Sequence, residues 1–207
     1  MPGRRLTYEF FKQHPLKVAK LLLGKYLVRI LPEGKIVVKI VETEAYGGKE
    51  DDACHVGRFG KTKKTQTLFG KVGCAYVYPV HINTYCLNVV CHKNGQAGGV
   101  LIRAAQPTEG IDLILKNKGK TISSNINRKI LTNLLNGPGK LCKGLKIDRK
   151  LNGEDMVKGK FLYLLEGEKV KTSEILKTPR INIPYAKKSK NWLWRFLIKN
   201  SEFVSRI

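Results

Sequence analysis

Residues Lys35 to Tyr46, Lys-Ile-Val-Val-Lys-Ile-Val-Glu-Thr-Glu-Ala-Tyr, constrain the fold of this chain more than any other stretch. β-branched residues dominate the run, so it is expected to be one long strand. Successive strand side chains point to opposite faces, which places Ile36, Val38, Ile40, Glu42, Glu44 and Tyr46 together. Lys39 on the other face implies that the apolar set points inward, and the inward face then ends in two carboxylates and a phenol. Carboxylates in that position sit where a core opens into a cleft. A carboxylate, with a reference pKa of about 4.3, is ionised at neutral pH and can take a proton from water held beside it. The alternative is that Glu42 and Glu44 are strand-end partners for the abundant lysines.

The surrounding residues add chemistry to the strand end. Gly47-Gly48 gives a flexible turn, after which Glu50-Asp51-Asp52-Ala53-Cys54-His55 returns an imidazole to the neighbourhood of Glu44. In Ala75-Tyr76-Val77-Tyr78-Pro79-Val80-His81, alternation puts Tyr76 and Tyr78 on one face, and Pro79 requires a strand edge or end. Such tyrosines either pack in the core or serve as stacking platforms for nucleobases.

Charge distribution narrows the partner. Lys plus Arg number 39 against 16 for Asp plus Glu, a formal charge of +23. No carboxylate occurs between Asp52 and Glu109, between Asp112 and Asp148, or between Glu174 and Glu202. The 42% of hydrophobic residues are spread along the chain rather than confined away from a basic tail, which indicates a folded body with a basic face. A polyanionic partner follows from that face, against the plainer reading of a solvated lysine-rich surface. The five cysteines form no CxxC pair; Cys91-His92 beside Cys86 offers a metal site on paper, but core thiols in a reducing compartment account for all five, and no metal or other cofactor is expected. Lys17, Lys20 and Lys25 interrupt the apolar residues near the start, so neither a secretion signal nor a membrane span fits, and an intracellular protein is expected.

At 207 residues the chain suits one domain, residues 1–207. A helix is expected from Pro15 through Leu23, stopped by Gly24, and strands over Lys25 to Ile30, Lys35 to Tyr46, Cys74 to Val80, Tyr85 to Cys91 and Gly99 to Ala104. Helices are expected from Glu109 and over Asn127 to Leu135, then late strands over Lys160 to Leu165 and Trp192 to Ile198, separated by a loop-rich connection holding Thr178-Pro179 and Ile183-Pro184. The Lys/Asn/Ser segment Lys116 to Arg128 reads as a basic loop. This order gives an α+β domain with a mixed, mainly antiparallel curved sheet and peripheral helices.

Val41-Glu42-Thr43-Glu44-Ala45-Tyr46, Glu50-Asp51, His55, Tyr76-Val77-Tyr78, Asn88 and Leu101-Ile102-Arg103-Ala104 together closely resemble the alkyladenine (3-methyladenine, methylpurine) DNA glycosylase family. Asn136-Gly137-Pro138-Gly139-Lys140-Leu141-Cys142 and the end from Thr178-Pro179-Arg180-Ile181 through Arg195-Phe196 to Phe203-Val204-Ser205-Arg206 are also similar, so the resemblance spans nearly the whole chain. It implies a monofunctional DNA glycosylase that flips an alkylated or deaminated purine (3-methyladenine, 7-methylguanine, hypoxanthine, ethenoadenine) from damaged duplex DNA and leaves an abasic site. Glu44 would activate water, with Arg103 holding water and carboxylate. Tyr46, His55 and Tyr78 would enclose the base, and Asn88 would lie at the pocket floor and disfavour normal guanine. Glu42 is left structural.

His81 stands where a family member has a tyrosine wedge, and would fill the gap left by the flipped nucleotide; Pro79 and Ile82-Asn83-Thr84 also depart from the pattern, as do two extra residues between Asn88 and Arg103. Phosphate contacts are expected from Lys61, Lys63, Lys64, Lys140 and Lys143. An N3- or N7-alkylated purine is cationic and leaves readily, so an aromatic cage and a directed water suffice. Neutral lesions need protonation of the purine, and no residue stands out as that acid. Precedent among small glycosylases implies a monomer, working at a bacterial nucleoid or a eukaryotic nucleus. Two rivals remain: a nucleic-acid binder without catalysis, and a scaffold for RNA binding, since the architecture resembles the barrel-like carboxy-terminal domain of methionyl-tRNA formyltransferases. The first gives no reason for Glu44, His55 and Arg103 together, and the Val41 to Tyr46 motif and the aromatic cage argue against the second.

Overall fold

The computed structural model describes residues 3–93, 95–120 and 127–205. Among the described residues six α-helices, α1 (Tyr8–Phe11), α2 (Pro15–Leu21), α3 (His55–Phe59), α4 (Ile111–Asn117), α5 (Arg128–Asn133) and α6 (Pro138–Gly144), accompany eight strands. The strands are β1 (Tyr26–Leu31), β2 (Gly34–Tyr46), β3 (Ala75–His81), β4 (Thr84–Val90), β5 (Gly99–Glu109), β6 (Leu162–Leu165), β7 (Ile175–Thr178) and β8 (Arg195–Ile198). All eight join one sheet in the order β3-β4-β5-β2-β1-β6, with β8 paired to β2 and β7 to β8, and every pairing is antiparallel.

β2 is the spine of the sheet because its 13 residues outrun any single neighbour. β5 follows one edge from Val37 to Tyr46, while the other edge is shared, β1 covering Gly34 to Lys39 and β8 covering Glu42 to Glu44. Two successive partners on one edge curl the sheet around its core.

The alternation expected for Lys35 to Tyr46 fails at Val41. Ile40 pairs with Ala105 but Glu42 with Ala104, so Val41 is an extra residue on β2; Glu42 and Thr43 then pair with Ala104 and Ile102, which makes Arg103 an extra residue on β5. Each bulge turns its strand over by one residue. Ile36, Val38 and Ile40 therefore pack in the main core, joined beyond the bulge by Ala45, while Val41 packs on the opposite face with Ala104 and Phe203. Thr43, on the core face, donates to Ala19 O of α2 at 2.8 Å. Glu42, Glu44 and Tyr46 thus face away from Ile36, Val38 and Ile40, and the Arg103 bulge brings the guanidinium to the same side.

Local signals account for most elements. Pro15 opens α2, with His14 Nδ1 accepting from Leu16 N at 3.2 Å. Pro79 lies in β3, an edge strand where a missing N–H costs no ladder bond. His81 pairs with Thr84 across the two-residue turn Ile82-Asn83, where Asn83 takes the left-handed conformation at φ 56° that asparagine tolerates. The helix expected from Glu109 begins at Ile111 because β5 runs on to Glu109. α1, α3, α6 and β7 correspond to no element expected from the sequence. Of the basic segment Lys116 to Arg128, its ends belong to α4 and α5, and 121–126 lie outside the described residues.

Candidate active site

The strand face exposed by the two bulges carries carboxylates that are completely buried, and a buried ion must be paired and hydrogen-bonded. Glu42 accepts from Arg103 Nε at 2.9 Å, Arg195 Nε at 2.8 Å, Ser205 N at 2.6 Å and Ser205 Oγ at 2.8 Å. Burial alone would raise its pKa, but the Ser205 amide and the two guanidiniums outweigh that and hold it below the usual carboxylate range. Glu44 accepts from Ile181 N at 3.0 Å on Oε1, and from Tyr46 OH at 2.9 Å and Arg103 Nη1 at 3.3 Å on Oε2. Burial, followed by the Glu44 charge, pushes the Tyr46 phenol far above its ordinary value, so it stays protonated as a donor.

A third buried carboxylate, Asp51, pairs with Arg180 through Nη1 at 2.6 Å and Nη2 at 2.8 Å, and also accepts from Gly47 N and Ala53 N at 3.0 and 3.1 Å. Arg180 Nη1 reaches Ala45 O at 2.8 Å, and its guanidinium lies 4.8 Å from the Tyr46 ring centre and 5.3 Å from that of Trp194. Gly57 permits this close packing, since a Cβ there would come within 2.1 Å of Asp51 O. Glu42, Glu44 and Asp51 are thereby balanced by Arg103, Arg195 and Arg180, all buried.

Against this cluster lies a cavity of about 520 Å³, within the range of small-ligand sites. Tyr46, His55, Tyr76 and Tyr78 form its aromatic walls, Asn88, Leu101 and Arg103 come from the sheet, and Ile181 to Ile183 with Tyr185 close another side. The rings of His55 and Tyr78 meet edge-on at 4.5 Å, those of Tyr76 and Tyr78 lie 5.3 Å apart, and His55 Nδ1 bonds Tyr76 OH at 2.9 Å. Desolvation, reinforced by Lys64 and Arg58, lowers His55 to about 4, so the imidazole is neutral at physiological pH. Asn88 is buried and donates to Tyr76 O at 3.2 Å. Glu44 does not itself line the cavity; it stands behind the wall, in contact with three residues that do, Tyr46, Arg103 and Ile181.

Of the residues singled out in the sequence, Arg103, Tyr46, His55, Tyr78, Asn88 and His81 all meet in this cavity. His81 is exposed at its mouth, at the β3–β4 hairpin, next to Ile82, which is 92% exposed. Lys63 and Lys64 are exposed, with Lys64 Nζ 5.6 Å from the Tyr78 ring centre; Lys140 and Lys143 are exposed on α6, whose first residues Pro138 and Gly139 touch the cavity. Lys61 stands apart, 5.7 Å from the Phe69 ring centre and beside a different cavity, next to Trp192 and Trp194. Cys86 lines the first cavity, and all five cysteines are free. Among the described residues no three His, Cys, Asp or Glu side chains converge as metal ligands. Sequence reasoning gave no role to Asp51, Arg180, Ile181, Tyr185, Arg195 and Ser205. A signal was present: three acids close together in an acid-poor chain, once buried, require arginines.

A family model for methylpurine-DNA glycosylase matches residues 9–202. A protein of Desulfitobacterium hafniense strain Y51, named as a candidate 3-methyladenine DNA glycosylase, is 42% identical over 202 residues, 98% of each chain. Similarly named proteins of Natranaerobius thermophilus and of Clostridium botulinum strain Langeland are 39% and 41% identical over 201 residues, 97% of this chain and 98% of each relative.

Proposed function

The chain belongs to the methylpurine-DNA glycosylase family and is a DNA glycosylase of the 3-methyladenine type; from that premise we propose that it flips a damaged purine into the aromatic cavity and hydrolyses its bond to deoxyribose with Glu44 as the general base. One observation carries this reading: Glu44, with Tyr46, Arg103 and Ile181 all donating to it, stands directly behind the wall that a flipped nucleotide would face.

An ionised carboxylate accepts about four hydrogen bonds, two on each oxygen. Both positions on Oε2 are taken, and Ile181 N takes one on Oε1, which leaves one for a water. As the bond between sugar carbon and purine nitrogen breaks, that water adds to the sugar and its proton passes to Glu44; the electron pair of the broken bond leaves with the purine. Base catalysis of this kind supplies roughly 10²- to 10⁴-fold.

The cavity suits a cationic leaving group. Tyr46, Tyr76 and Tyr78 line the cavity with aromatic rings that would stack on an N3- or N7-alkylated purine, and His55 is neutral and so does not repel it. 3-Methyladenine and 7-methylguanine are the substrates this chemistry favours. Hypoxanthine and ethenoadenine would leave only with a proton supplied from elsewhere. Asn88, fixed to the Tyr76 carbonyl, would screen the purine edge. His81 at the hairpin tip would occupy the vacated stack, and the basic residues Lys63, Lys64, Lys140 and Lys143 would hold the duplex as the protein acts, as a monomer, at the nucleoid.

The test is incubation of the protein, with EDTA present, with methylated DNA and with a duplex carrying one hypoxanthine. Release of 3-methyladenine and alkali-labile abasic sites are expected from methylated DNA. Glu44→Gln should retain lesion binding and lose release by at least about 100-fold. Unchanged turnover by that variant, or trapping of an enzyme–DNA Schiff base with borohydride, overturns the mechanism.

A further inference from the structure

Arg58, in the last turn of α3, lies with its guanidinium carbon 3.8 Å from the ring centre of Tyr185 and 4.8 Å from that of Phe59. Tyr185 lines the aromatic cavity, and Phe59, just outside it, stands 6.0 Å from the ring of His55, which also lines it. Phe59 and Tyr185 are 48% and 40% exposed, and Arg58 is exposed as well, so the stack faces solvent. Among the described residues Arg58 has no carboxylate partner. The nearby acids are already engaged, Asp51 by Arg180 and Asp52 by the amides of Lys187, Lys188 and Ser189.

We propose that Arg58 is a phosphate-binding residue that receives a backbone phosphate flanking the flipped nucleotide, the rings of Phe59 and Tyr185 holding its guanidinium in place. The inference rests on the glycosylase reading of the cavity, since a flipped nucleotide brings its two flanking phosphates to the rim. A guanidinium laid on aromatic rings is pre-oriented; one of its N–H groups meets the Tyr185 hydroxyl, and the others remain to make two parallel hydrogen bonds to a phosphate. Lys64, over Tyr78 on the same rim, supplies a point charge, whereas Arg58 supplies direction. A fixed contact at the mouth acts on the extruded state, unlike the more distant lysines, which attract any duplex.

The measurement is the affinity of the intact protein for a duplex containing a tetrahydrofuran abasic-site analogue, across a range of salt concentrations. Arg58→Ala should weaken binding roughly tenfold and lower the slope of log affinity against log salt by about 0.9, one phosphate contact. Arg58→Lys should keep the slope and still bind several-fold more weakly, because lysine retains the charge without the fork. Arg58→Lys binding like the unchanged protein, or Arg58→Ala leaving affinity and slope untouched, overturns the proposal. Base release by the unchanged protein is scored separately: its absence overturns the glycosylase reading, whereas its presence with an unaffected Arg58→Ala variant overturns only the phosphate site.

Discussion

Arg180 and Asp51 meet through two parallel hydrogen bonds, 2.6 and 2.8 Å long, with both side chains wholly out of solvent. The pair joins the loop after β2 to a segment nearly 130 positions later in the chain, and it fixes the residue just before Ile181, whose amide donates to Glu44. Arg180 Nε is left as a buried donor without a partner among the described residues, a cost that the bidentate pair and the two flanking rings must offset. Glu44 is held from the other side by Arg103, itself held by Glu42. Its position is therefore set by parts of the chain that are remote in sequence.

Asp51→Asn should be strongly destabilising. The substitution keeps the shape of the side chain but leaves the Arg180 guanidinium buried without its counter-charge, and breaking a buried pair in this way costs about 3 to 5 kcal/mol. Urea unfolding of the two proteins at neutral pH measures the difference. A loss below about 1 kcal/mol would mean that water or another acceptor takes over the role of Asp51.

His55 predicts a pH dependence with a definite sign. Its pKa falls from 6.5 to about 4 on folding, so between these values the unfolded chain binds more protons than the folded one. The stability due to neutral His55 is complete above pH 6.5 and is lost as pH falls through 4. Across that window the unfolding free energy of His55→Gln should decline less on acidification than that of the unchanged protein. For the same reason, the single-turnover excision rate should show no inflection traceable to His55 between pH 5.5 and 8. Parallel stability curves for the two proteins would contradict the lowered pKa.

Much of this arrangement was legible in the sequence, and the remainder has a physical reason for being hidden. The β2 run, Pro79 at a sheet edge, Pro15 at a helix start, and the meeting of His55, Tyr78 and Asn88 follow from periodicity, proline chemistry and the family resemblance. The paired bulges do not, because a bulge is a property of two strands in register and appears only when β2 and β5 are aligned. Strict alternation consequently put Glu42 and Glu44 on the wrong face. Arg195 and Ser205, the partners of Glu42, lie 153 and 163 positions away, beyond any local pattern. β7 has only four residues, none of them buried, so it lacks the apolar signal that marks a strand.

Salt should separate the basic residues into classes. Lys63 and Lys64 are exposed in the segment after α3, near the cavity mouth, and each is expected to neutralise one phosphate. Replacing both with alanine should lower the slope of log affinity against log salt by about 1.8 for damaged and undamaged duplexes alike, since phosphate contacts carry no base information. Lys61, beside the other cavity, should contribute less. Equal slopes for the double variant and the unchanged protein would move the duplex to another face.

His81 supplies the last test, because its contribution depends on what the duplex gains by staying stacked. The imidazole is exposed beside the turn of the β3–β4 hairpin and also lines the cavity, which on the proposed mechanism would let it enter the helix while the extruded base occupies the pocket. Extruding a base costs a few kcal/mol, least when the base is mispaired. His81→Ala should therefore slow excision most for 7-methylguanine paired with cytosine, less opposite a mismatched base, and least in single-stranded DNA, where no stack needs to be filled. Single-turnover rates on those three substrates measure the trend. An equal loss on all three would show that His81 acts on the bound base or on the chemistry, and the wedge would then have to be sought at the neighbouring Ile82, the more exposed apolar side chain of the same turn.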